Sequence, residues 1–237
     1  MGAVVSQPQT KATSAARSQR RSFAQVAGLA LALTLVLIIV EHGGPALVAG
    51  QRVSGTSDVG AIRLFYGHQA LQPFWGLGGI GFIAMVFFGL SFRAYLRTFQ
   101  LTAVQALLVE FATAAMLLEA PLIAIQIALQ AALVQVATSG TDSGVLALFA
   151  GWDWIYNGST YWFEVAWMAT WAFLALRTGA LPKWVAIAGG IGAIGLLFNS
   201  TVLTLRLPDA STLVPTAVLA IWMVATVSHL ARGGTQN

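Results

Sequence analysis

The chain has 237 residues, 57% of them hydrophobic and only 8% charged, with a formal net charge of +4. Soluble domains carry roughly 25% charged residues, so this chain has too few charges to cover a water-facing surface, and a soluble fold is excluded. A pI near 10.0 does not point to nucleic acid, because Lys11, Arg17, Arg20 and Arg21 cluster at the N-terminus and no basic face is interleaved with aromatics.

Residues 1–22 are rich in Ser, Ala, Gln and Arg and are expected to form a disordered, basic cytoplasmic tail. The rest, 23–232, reads as one all-α integral membrane domain, a bundle of six transmembrane helices with both termini inside. The expected spans are about 23–41, 74–92, 101–137, 161–177, 183–205 and 211–230. Most of these runs are near the ~20 residues needed to cross a hydrocarbon core. In lipid they can only be helices, since each backbone amide must find its partner within the segment. The alternating pattern of a membrane barrel is absent.

Arg20-Arg21-Ser22-Phe23 resembles a twin-arginine export signal. The apolar run behind it exceeds the roughly 7–15 residues of a signal peptide, so it is read as a membrane anchor. Residues 42–73 form an expected outer loop carrying His42, Arg52, Asp58, Arg63 and His68, with Pro73 opening the second span. Gly76, Gly78, Gly79 and Gly81 form a G-x-G-G-x-G string, but no strand precedes it, and close helix packing is the better account.

The third run covers 37 residues around Pro121, about 55 Å of helix, and topology turns on whether it is one span or two. With six spans, Lys11, Arg17, Arg20, Arg21, Arg93, Arg97, Arg177, Lys183 and Arg232 lie inside and Arg52, Arg63 and Arg206 outside, nine against three. Splitting the third run reverses every later loop and gives seven against five. The bias of Lys and Arg toward the cytoplasm therefore selects six spans, with the third protruding on the outer side. The stretch 151–162 brings Trp152, Trp154, Tyr156, Tyr161 and Trp162 to an expected outer aromatic belt. Gly189, Gly192 and Gly195 recur along the fifth span and mark a packing face.

Arg177, Gly179, Leu181, Pro182, Lys183 and Trp184 form a span end, a short turn and a Leu-Pro-Lys-Trp helix opening. This pattern resembles a family of small bacterial six-helix membrane proteins grouped as a domain of unknown function. The resemblance covers about a quarter of the chain; it implies a six-helix fold in a bacterial plasma membrane and carries no chemistry onto these residues.

Ionisable side chains within spans are site candidates because lipid makes them costly. Glu110 lies about 13 Å into the third span, near the expected midplane, and Glu119 about 27 Å in, near the outer edge. Glu164 is in the first turn of the fourth span, and Asn199 is in the outer third of the fifth. Glu119, Gln126 and Gln130 align on one face. Glu110 points the other way. Glu164 and Trp171 share a face of the fourth span.

The expected site is an outward-facing pocket lined by His68, Glu119, Glu164 and Asn199, with His42 beside it and Glu110 a separate candidate for proton or ligand handling. His68, Glu119 and Glu164 form a candidate metal set. The opposing expectation is structural: glutamates reaching interfacial water and amides tying helices together. With no catalytic signature, the leading expectation is a non-enzymatic binding or sensor module, or an accessory subunit. A membrane-embedded enzyme acting on a lipid or small amphiphile through the Glu/His cluster is the alternative, and a small transporter the third. No motif names a cofactor. Expected partners are the bilayer and a membrane protein or second copy packed on the Gly-rich faces of the second and fifth spans.

Overall fold

The computed structural model describes residues 8–50, 53, 57–68, 77–205 and 213–234. Arg52, Pro73, Gly76 and Arg206, and the side chains of Lys11 and His42, lie outside the described residues. The elements are α1 (Pro8–Ala49), α2 (Val59–Tyr66), α3 (Leu77–Leu96), α4 (Ala103–Ser139), α5 (Asp142–Asp153), a π segment (Trp154–Ser159), α6 (Thr160–Thr178), α7 (Lys183–Leu205) and α8 (Leu213–Ala231). The protein is all-helical, with no strand among the described residues.

Four stretches are long and apolar enough to cross a membrane: Ser14–Glu41, Gly79–Leu96, Ala103–Ser139 and Lys183–Ser200. Ala217–Ala231 is a shorter apolar helix. The expected fourth span, α6, has the length but not the hydropathy. Its Tyr, Glu and Trp residues lower the mean, while Trp167, Met168, Trp171, Leu174 and Ala175 are buried.

The expected disordered tail is helical from Pro8 onward, as the first part of α1. Its Ala, Gln and Arg residues favour helix. Docking holds it: Arg20 donates to the Thr98 carbonyl at 2.8 Å and to Thr98 Oγ1 at 3.1 Å, and its guanidinium stands 4.2 Å over the Phe99 ring.

The expected long third helix is a single element, α4, with Pro121 inside it. A Thr102/Gln105 capping box starts it, satisfying orphan amides reciprocally. At Gly140 the chain turns, and α5, the π segment and α6 return along it. The stretch expected as an outer interfacial belt is thus helical. Trp154 and Trp162 are exposed, whereas Trp152 stacks between Phe149, at 5.7 Å, and Tyr156, at 5.3 Å.

The far end of the α4–α5 hairpin carries its own cluster of Ile62, Phe65, Tyr66, Leu133, Ala137, Val145 and Phe149, which seats α2. Arg63 locks it. Its guanidinium donates to the carbonyls of Ala137, at 2.8 Å, and Gly140, at 2.6 Å, and to Asp142 Oδ1, at 2.7 Å. One cation thereby caps the orphan carbonyls of α4 and pairs with the first turn of α5. Burial, with the Asp153 carboxylate nearby, pushes the Tyr66 phenol above its ordinary range.

The main core gathers around α6, where Trp171 packs edge-on to Phe88 and Phe92 at 5.6 and 5.2 Å. Gly89 permits this. A Cβ there would stand 3.3 Å from the Trp171 ring. Of the expected packing glycines, Gly81 faces Leu37 of α1, Gly189 faces the Trp222 indole of α8, and Gly192 faces Met168 of α6. At these positions the close approach is made within the chain.

Candidate functional site

Glu119 and Glu164 meet because of the hairpin. Glu119 precedes Gly140 by 21 residues and Glu164 follows Thr141 by 23, so antiparallel arms place them at one level. The π segment uses more residues per turn than an α-helix and absorbs the surplus in the returning arm. The two carboxyl groups lie within side-chain hydrogen-bonding range of each other. Glu119 is 1% exposed, while Glu164 is half-buried.

Two carboxylates hold no donor between them, and like charges this close do not both ionise. Oε2 of Glu119 accepts from the Trp167 indole N–H at 2.9 Å. Trp167 lies three residues after Glu164, one turn along α6, so a single helix face supplies both partners of Glu119.

Around this pair the polar groups continue toward the N-terminal end of α6. Tyr161 hydrogen-bonds Asn199 of α7 and lies within electrostatic range of Glu164. Tyr156 of the π segment lies within range of Tyr161, Glu164 and Glu41 of α1. Asn199 is 6% exposed, and its carbonyl oxygen has no hydrogen-bond partner among the described residues. Gln126 and Gln130 are buried along α4, as the shared stripe with Glu119 requires. Beneath the pair lies an aromatic floor, with Trp167 5.1 Å from Trp171 and 6.4 Å from Trp222.

Three of the expected site residues thus come together: Glu119, Glu164 and Asn199. Two do not. His68 is exposed just past the end of α2, and α2 packs at Leu133 and Ala137, which are about 21 Å or more along α4 from Glu119. The expected metal set of His68, Glu119 and Glu164 is therefore not assembled, and no group of three or more metal-ligating side chains converges among the described residues.

Glu110 is a correction as well. Expected near the midplane, it is partly exposed and held by two cations at the α3–α4 connection. Arg93 reaches it at 3.0 Å, and Arg97 also donates to it. The connection is short, so the second turn of α4 faces the last turns of α3. The signal was in the sequence: Arg93 and Arg97 are one turn apart and face the first acidic residue beyond the turn.

No protein-family model, curated protein or solved structure matches the chain. Its chemistry rests on its own geometry.

Missed from sequence were Trp167, Tyr161 and Tyr156. The first could have been found from its i+3 spacing to Glu164. The others were assigned to an interfacial belt because the π segment that turns them inward has no sequence signature of its own.

Proposed function

We propose that the chain is a non-enzymatic, multi-pass module of the cell membrane, a sensor or accessory subunit whose working part is the proton-binding pair Glu119–Glu164. In this reading it crosses a bacterial plasma membrane six times with both ends inside. Four helices of sufficient length and apolarity support a membrane protein, and the bias of Lys and Arg in the sequence favours the six-span orientation.

The Glu110–Arg93–Arg97 cluster then marks the inner interface. Glu119 is nine residues further along α4, about 13 Å, or close to the middle of a core roughly 30 Å thick. This revises the outer-edge position expected from span boundaries alone. From mid-membrane, Tyr161, Tyr156 and Asn199 continue the polar groups toward the outer side.

The observation that carries the reading is that two carboxyl groups, one of them 1% exposed, are brought within interaction range of each other in the bundle interior. A group there that gains or loses a proton changes what holds α4 to α6, which is a two-state element a proton can bias. The enzyme alternative needed an imidazole beside the carboxyls, and His68 lies elsewhere.

The test uses the protein in sealed vesicles. A step in outer pH is expected to change tryptophan emission through Trp167, and Glu119→Gln and Glu164→Gln are expected to abolish the change. A response unaltered by both substitutions would overturn the proposal.

A further inference from the structure

A second feature lies between α7 and α8. A groove of about 710 Å³ runs along them, with Val185, Ile221 and Val224 on its apolar length and Ser228, His229 and Arg232 at one end. Trp184, Ile221 and Val224 are 59%, 59% and 53% exposed, an apolar surface with nothing over it among the described residues. α7 begins and α8 ends on the same side of the bundle, so Lys183 and Arg232 flank the polar mouth.

We propose that this groove seats an anionic phospholipid of the inner leaflet, one whose headgroup carries a hydroxyl, as phosphatidylglycerol does. The proposal rests on the membrane reading given above, though not on the carboxyl pair. Three observations select this occupant.

The groove joins an apolar length to a cationic end, the pattern of an acyl chain below a phosphate. Arg232 is exposed and no carboxylate lines the groove, so its guanidinium is available for a phosphate, which it matches in a two-point fork. Basic pockets between membrane helices on the cytoplasmic side bind anionic head groups on the same principle.

His229 supplies the third. One ring nitrogen hydrogen-bonds the Ala180 carbonyl, while Nε2 is buried with no partner among the described residues. A neutral imidazole donating from Nδ1 presents a lone pair at Nε2. That atom asks for a donor, which a headgroup hydroxyl provides and a choline headgroup lacks. Ser228 Oγ, though it donates to the Val224 carbonyl at 2.9 Å, can still accept. Trp184, at the opening of α7, sits where indoles favour the headgroup level.

The full-length protein is placed in nanodiscs of phosphatidylcholine containing a minor fraction of phosphatidylglycerol, and lipids retained on release are counted by native mass spectrometry. The wild type is expected to retain one phosphatidylglycerol at least tenfold in preference to phosphatidylcholine. Arg232→Gln is expected to remove most of that preference, and His229→Phe to reduce it while leaving phosphate binding in place. Arg232 is exposed, so its substitution leaves the fold intact, and the unfolding temperature in phosphatidylcholine alone checks this. Equal retention of the two lipids by an inserted wild type, or a preference unchanged in Arg232→Gln, would overturn the proposal. Failure to enter nanodiscs of either composition would instead count against the membrane reading, and the groove proposal with it.

Discussion

Trp167 donates its indole N–H to Glu119 Oε2 across 2.9 Å, tying α6 to α4 at the level where Glu119 also faces Glu164. One face of one helix thus supplies both neighbours of the buried carboxyl. Its position depends on the hairpin, the π segment and the aromatic floor together.

The carboxyl pair should behave as a unit. Glu119→Leu leaves Glu164 and the Trp167 indole without a partner and is expected to cost about 1–3 kcal/mol. Glu164→Leu should cost a similar amount. The double substitution is expected to cost less than the sum, because no carboxyl is left unpaired. Denaturation midpoints of the four proteins in one detergent measure this; strict additivity would separate the two side chains.

Trp167→Phe keeps an aromatic ring against Trp171 and Trp222 but removes the donor. The expected loss is about 0.5–1.5 kcal/mol, against about 3–5 kcal/mol for Trp167→Ala, which also opens a cavity. Comparable losses for Phe and Ala would assign the stability to the hydrogen bond; no loss for Phe would show that the bond carries none.

Helix spacing can be probed at Gly28. A Cβ there would stand 2.8 Å from the Ala231 backbone nitrogen, a contact that no rotamer change relieves. Gly28→Leu is expected to push α1 from α8 at a cost of about 1–3 kcal/mol or more. At Gly190 nothing lies within 4 Å, so Gly190→Ala should be neutral or slightly stabilising. Thermal unfolding of both variants provides the comparison.

The cap at the α4–α5 turn should depend on Arg63 and on the Tyr66 phenol. Arg63→Ala removes the donors to Ala137 and Gly140 and is expected to raise amide exchange at the end of α4 and in α2, with about 1–3 kcal/mol lost locally. Tyr66 titrates above its ordinary value in the fold. Its contribution is therefore complete below about pH 10 and declines as pH rises further. Protection at α2, after division by the intrinsic hydroxide-catalysed rate, should fall above that pH in the wild type and stay flat in Tyr66→Phe.

Much of this architecture was legible in the chain, for reasons that differ by element. The apolar runs gave α3, α4 and α7 because lipid demands continuous helix. The 100° spacing correctly placed Glu119, Gln126 and Gln130 on one face. The pairing of Glu110 with Arg93 and Arg97 at the α3–α4 connection depends on how the two helices face each other across the turn, which hydropathy alone does not report. The helical start of α1 rests on Arg20 reaching Thr98 and Phe99, a contact across 78 residues. Tyr156 and Tyr161 were misplaced because a π segment depends on tertiary packing, which single residues do not encode.

The most direct test of the central claim is infrared spectroscopy of the reconstituted protein at neutral pH, reading the C=O stretch of protonated carboxyl groups. A proton shared by Glu119 and Glu164 gives such a band in the wild type, shifted or lost in both Glu119→Gln and Glu164→Gln. A wild-type spectrum without the band, or a band that neither substitution alters, would contradict a proton held between these two residues.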